Sequence, residues 1–249
     1  MRWFSRRSLR LWQRDRDVFF RLWKSELPGF LGEPLFIILV MGFGLGAFIG
    51  QQIGGQRYVE FIAPGIIASY SMFSASAECT YGSFVRMEFQ KTFDAIIATP
   101  LSAEDVAAGE IFWGATRSLL TSSVILAIIA VLGLVHSPWA LLVPAVGVLS
   151  GLMFSSIGLF FTSLAKTIYN FNYYFTLFLT PMFFFSGIFF PLTAFPKVVQ
   201  NLSWIVPLTP VARLTRGLVA GNLDIAMLWS VLMIVGLTAV FFVLALTNM

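Results

Sequence analysis

Four acids of this chain stand close together. Asp94, Glu104, Asp105 and Glu110 fall in Phe93–Arg117, FDAIIATPLSAEDVAAGEIFWGATR, the only polar island of any length between two long apolar runs. Within it Thr99-Pro100-Leu101-Ser102 breaks the chain, and Ser102 can then cap a short helix, with Asp105 three residues later as a capping-box acid. The chemistry on offer is contact, not reaction. His136 is the only histidine and falls in an expected outer turn, so no nucleophile–histidine–acid set can be assembled. Cys79 is the only cysteine, which excludes an internal disulfide and a cysteine metal cluster. No G-x-x-x-x-G-K-S/T run occurs, so the chain does not cradle ATP phosphates itself. A short acidic helix held between two membrane helices can pass a push from outside the membrane into it. The island therefore reads as a docking surface for a separate soluble motor subunit. An ordinary capped loop helix without a partner is the alternative.

The elements around the island are set by composition. The chain has 249 residues, 58% hydrophobic and 11% charged, where a soluble domain is nearer a quarter charged. A soluble core cannot hide that much apolar surface, so lipid is the solvent for much of it. The formal charge of +4 does not point to nucleic acid. Eight of the sixteen basic residues lie in the first 24 positions, which makes a membrane surface the acidic partner. No polar domain or long linker interrupts the chain, so 1–249 is one membrane domain.

Residues 1–30 are a basic amphipathic segment. Arg2, Arg6, Arg7, Arg10, Arg14, Arg16, Arg21 and Lys24 alternate with apolar residues, and Trp12, Phe19 and Trp23 share one helical face. Such a helix lies in the membrane interface, rings in the acyl boundary and cations on the headgroups. Its charge places the N-terminus in the cytoplasm. No small-x-small cleavage site follows, so it is not read as a signal peptide.

Apolar runs then predict spans at 34–50, 61–84, 119–134, 139–164, 168–190 and 225–246. In the first, Pro34 suits an opening helical turn, and Gly42, Gly46 and Gly50 recur every four residues as a smooth stripe. That stripe packs either inside one subunit or across a dimer. Glu78 is the one acid inside a span, a functional candidate by position. It lies some 17 residues along, ~26 Å down the helix, near the cytoplasmic boundary where it can reach water or Arg86. A structural or gating role is preferred to a proton relay. Gly147, Gly151, Ser155 and Gly158 give the fourth span a small-residue face. In the fifth span Phe171, Phe175, Phe178, Phe185 and Phe189 recur at three, four or seven and are expected on one side. Lipid-facing packing is the plain reading; cargo contact along a path is the other. Region 192–217 is apolar yet broken at Pro196, Pro207 and Pro210. It suits a re-entrant pair of short helices. Its rival is a single crossing over Phe195–Val211.

Two blocks carry a family resemblance. PGIIASYSMFSASAECTYGSFVRM with TPLSAEDVAAGEIFWGATR, and LTPMFFFSGIFFPLTAFP with VPLTPVARLTRGL, resemble membrane subunits of the ABC-2 exporter family. Within it the chain looks most like the nodulation protein J group, whose members act in lipo-chitooligosaccharide export. The resemblance spans nearly the whole chain. It implies an all-α polytopic membrane protein of the cell inner membrane with six transmembrane helices and both termini cytoplasmic. It also implies an N-terminal interfacial helix, re-entrant helices before the last span, and a cytoplasmic coupling helix at 99–110 seated on an ABC ATP-binding subunit. The residues it assigns to coupling are Thr99, Pro100, Leu101, Ser102, Glu104, Asp105 and Glu110.

The function expected is that of a permease subunit, not an enzyme. Two copies stand side by side with two copies of the ATPase, and ATP and Mg sit on the partner. The cargo is an amphipathic lipo-oligosaccharide or lipid-linked saccharide. Hydrophobic drugs or lipids are the alternative cargo. An ion-coupled secondary transporter is a further rival, though it would need a buried ion site and usually repeated halves, neither of which the sequence offers.

Overall fold

The computed structural model describes residues 8–49 and 55–248. Every element in them is helical. Helix α1, Ser8–Ile37, winds on through a π-helical stretch, Ile38–Leu45, to Gly46–Ile49. Helix α2, Tyr58–Ala77, continues through π turns at Glu78–Gly82 and Val85–Phe89. The short α3, Thr92–Ile97, follows a reversal at Lys91, whose φ is 51°. Then come α4, Ala103–Val131, and α5, Val143–Leu164, entered by a 3-10 turn at Pro138–Leu142. The helical run 168–185, α6, mixes 3-10, α and π winding. Two short helices, α7 at Lys197–Ser203 and α8 at Leu208–Ala220, precede α9, Ala226–Asn248.

Among the described residues four helices are long and apolar enough to cross a membrane: Ser8–Phe48, Ala103–Val131, Pro138–Leu164 and Ala226–Asn248. Backbone groups in lipid must be paired within the segment, and helices achieve this. Large apolar side chains such as Phe36, Phe48, Val131, Leu141, Leu177 and Trp229 remain exposed, as a lipid-facing rim requires.

Helix α2 is the axis. Every residue from Phe61 to Met72 is buried, because α1, α4, α5 and α8 surround it. Ile62, Ile66, Ile67 and Met72 meet Ile125, Ile129, Phe154 and Ile157 in one apolar core. Its neighbours α4 and α5 close on each other through small residues. A Cβ at Gly151 would stand 2.7 Å from Ala115 Cα, and one at Gly114 would stand 3.1 Å from Ser155 Cβ. Such seams let helices approach where lipid offers no hydrophobic drive between them.

Two boundaries differ from expectation, and a third removes the rival single helix over 195–211. No break occurs at Glu33-Pro34: both Pro28 and Pro34 lie inside α1, so the N-terminal segment and the first span share one helix. Local π winding can absorb the hydrogen bonds that proline removes. Ser102 caps not a short helix but a long one, since Ala103–Val131 is continuous. The independent short helix is α3, just before the Thr99-Pro100 break. And Phe195–Val211 forms no single crossing, for a turn at 204–207 separates α7 from α8.

Candidate functional site: a charge joint and its elbow

Where α1, α2 and α4 meet at one end of the bundle, charged side chains turn inward. Glu110, in the third turn of α4, has no exposed surface. Its Oε2 accepts from Ser83 Oγ at 2.7 Å, and its Oε1 accepts from Arg86 Nε at 3.1 Å. Arg86 Nη2 closes the pair onto Oε2. Arg86 Nη1 lies 2.9 Å from Glu78 Oε1. Arg117, two turns along α4 from Glu110, lies 3.4 Å from Glu78 Oε2 and donates from Nη2 to Glu26 at 2.8 Å. Helix α1 adds Arg14, whose Nε donates to Asp15 at 3.0 Å and whose Nη2 lies 3.9 Å from Glu110. Three guanidiniums thus face four carboxylates from three helices. An isolated buried charge would be expensive; here each is met by another.

Backbone winding makes room for this. The π turn at Glu78–Gly82 shifts the side-chain phase so that Glu78 and Arg86 meet over Gly82. A Cβ there would press to 3.0 Å from Glu78 Oε1. Gly109 does the same for α1, since its Cβ would stand 2.6 Å from Leu11 Cδ2. A cavity of about 380 Å³ opens beside the joint, lined by Arg14, Asp15, Phe19, Trp113 and Arg117 among others.

The elbow, α3 with residues 98–102, hangs from this joint. Phe93 of α3 is buried with Leu11 and Val106, so the elbow is anchored on α1 and α4 together. Ser102 Oγ accepts from Asp105 N at 3.2 Å, and Asp105 Oδ2 accepts from Ser102 N at 3.4 Å. The capping box is formed as the sequence implies. Asp94, Ile97, Thr99, Pro100 and Ser102 are exposed, while Leu101 and Glu104 are half-buried. Asp105 and Glu110 are buried in the subunit. Of the seven residues assigned to docking, those two face inward, and the residues left exposed here lie on α3 and in 98–102.

Residues 6–220 match the family of ABC-2 type transporters. The chain belongs to that family. It is a transporter permease. It is 36% identical over 214 residues to Nodulation protein J of Rhizobium leguminosarum bv. trifolii, covering 85% of this chain and 80% of that one. With Nodulation protein J of Sinorhizobium fredii the figure is 34% over 206 residues, 83% and 78%. The Inner membrane transport permease YadH of Escherichia coli is 30% identical over 212 residues, 83% and 79%.

The permease places its other predicted site residues as follows. Trp12 donates from Nε1 to Thr116 Oγ1 at 2.8 Å, and Phe19 packs on Trp113 with ring centroids 5.7 Å apart. Those rings therefore face α4, while Trp23 stays exposed and Arg16 lies over Trp12. Apolar contact inside the subunit wins over contact with acyl chains. Gly42 receives Val59, and Gly46 faces Tyr58 at ordinary contact distance, so both pack on α2 of the same subunit. Gly50 lies outside the described residues. The five rings do not all share a face. Phe175 stands against Tyr81, and Phe178 stacks on Tyr174. Phe185 ends α6 exposed, and Phe189, beyond the turn at Gly187 with φ 80°, folds into the core. Helical periodicity overshot the helix end. Glu78 meets Arg86, the partner its depth suggested. Arg14, Asp15, Glu26 and Arg117 were missed as its companions. Arg117 repeating Glu110 at seven residues was the readable signal.

Proposed function

We propose that this permease is the membrane half of an ATP-driven exporter in the cell inner membrane, moving an amphipathic lipo-oligosaccharide or lipid-linked saccharide outward. Similarity to Nodulation protein J over more than four fifths of the chain carries this reading. Six spans are reached by adding α2 with its π extension and α6 to the four long helices. Both termini are then cytoplasmic, and α7 with α8 forms the re-entrant pair before α9. The working unit has two copies of this chain and two ABC ATP-binding subunits, which hold ATP and Mg.

The geometry supports a mechanical role for the elbow. ATP closes the two motor subunits, and α3 with 98–102 is carried with them. Because the elbow joins α2 to α4, and Phe93 ties it to α1, the charge joint moves these three helices as one piece. A soft joint would waste the displacement in local bending. Cargo enters from the cytoplasmic side or inner leaflet and passes between the two copies. Hydrophobic drugs or lipids remain the second cargo class.

The test is co-expression with an ATP-binding subunit, followed by one-to-one co-purification and transport of lipo-chitooligosaccharide in proteoliposomes. ATP-dependent uptake is expected. Transport that collapses with the proton gradient while ATP stays high would replace this reading with an ion-coupled one.

A further inference from the structure

Arg216 stands alone at the other end of the bundle. It sits on α8, beside the first turns of α2. Arg86 lies 25 residues further along that helix, roughly 38 Å away at the helical rise. Arg216 Nη2 donates to Gly187 O at 2.9 Å and to Phe61 O at 3.4 Å, and its guanidinium lies 4.1 Å from the Phe61 ring centroid. Its Nε is buried with no hydrogen-bond partner among the described residues. Among the described residues no carboxylate lies within ion-pair distance of it. Carbonyls and a ring face satisfy some of its donors but leave its charge uncompensated.

That charge opens onto a cavity of about 480 Å³. The acid on its wall, Asp224, is already held by Arg213 at 3.0 Å. A smaller cavity that Arg216 also lines holds Glu60, which Arg57 engages at 2.7 Å. Thr209, about two turns before Arg216 on α8, also lines the larger cavity, and its buried Oγ1 has no hydrogen-bond partner among the described residues. Two cations therefore face one acid, with one cation and one hydroxyl unspent. Leu192, Met227 and Trp204 supply apolar wall.

We propose that this cavity binds the oxyanion head of an amphiphile, a phosphate or sulfate ester, with Arg216 and Thr209 as its donors and the apolar wall against its chain. The site does not depend on which motor drives the permease. It is read on the purified full chain without the ATPase, so its failure and failure of the exporter reading are separate.

The probe is dodecyl phosphate titrated into the full chain in a neutral maltoside detergent, with inorganic phosphate and neutral octyl glucoside in parallel. Saturable binding of dodecyl phosphate with none of octyl glucoside is expected. R216Q keeps an amide donor for Gly187 O but removes the charge, and weakens binding about tenfold or more, the size of a lost charge-assisted hydrogen bond. T209V removes only the hydroxyl and weakens it less; it also stands in if R216Q fails to fold. Competition by dioctanoyl phosphatidylglycerol assigns the site to a lipid headgroup, and resistance to that competition assigns it to a free amphiphile. Equal binding by wild type and both variants, or no saturable binding of dodecyl phosphate by the wild type, overturns the proposal.

Discussion

Arg86 and Arg216 are the same residue in opposite circumstances. Arg86 is enclosed by Glu78, Glu110 and Ser83, and the helices it joins are locked by them. Arg216 meets carbonyls, a ring and a cavity. The contrast separates two uses of charge inside a membrane protein. Where every charge is met, removing one partner strands another, and the group acts as a joint. Where a charge is left unmet beside open space, the protein has kept binding capacity in reserve. Stability should tell the two apart.

The largest effect is expected at Glu110. E110A leaves Arg86 partly unpaired in a closed site, and loss of one partner of a buried pair costs about 3–5 kcal/mol. Thermal unfolding of the detergent-solubilised chain reads this. The double variant R86M/E110L removes both charges and should recover most of the loss, because apolar replacement of a buried pair is often neutral. If E110A melts with the wild type, the joint is not holding the helices.

Next comes Gly109, where the joint's third arm crosses α4. G109V drives a branched side chain into Leu11 and lifts α1 from Glu110. Overpacking of this kind costs about 1–3 kcal/mol. The same melting experiment checks it, and exposure of Trp12 to a soluble quencher should rise. An unchanged melt with Trp12 still shielded would place α1 outside the joint.

How much of this was legible without coordinates follows the same division. Apolar runs announce spans because burial in lipid depends on composition alone, and 119–134, 139–164 and 225–246 lie largely within helices as found. The Ser102–Asp105 cap was legible because its bonds are local. Helix ends were less so. Pro34 opens helices in many chains, yet here it sits in mid-helix, where tertiary packing of α1 overrides the local preference. The joint was least legible. Its partners are far apart in sequence, 91 residues for Arg117 and Glu26, and a π turn that no periodicity reveals sets the phase of Glu78 and Arg86. Glu110 looked like an exposed acid of a polar island because sequence carries charge but not direction.

A smaller effect on stability belongs to Arg216. R216M removes an uncompensated cation and two hydrogen bonds to carbonyls, terms that oppose each other. A change within about 1 kcal/mol is expected, against several for E110A. A loss as large as that of E110A would show that Arg216 is structurally committed, and the contrast between the two ends would collapse.

The smallest stability effect is expected at the elbow itself, and there the function is most exposed. D94K/E104K reverses two charges on the rim of α3 and the first turn of α4, neither of them in the joint. Surface substitutions away from packed features barely move stability, so the melting temperature should match the wild type. Binding is another matter, since rim charges govern encounter and register more than they govern folding. Co-purification of the ATP-binding subunit should fall severalfold, and restoring salt-free buffer should not rescue it, because the sign of the contact is now wrong. Asp105 and Glu110 make unsuitable sites for this test. Both are buried, so a lysine at either would report on folding and not on docking. A variant with intact melting and intact co-purification would move the docking surface off α3 and 98–102, leaving the joint as a structural clamp with no lever attached.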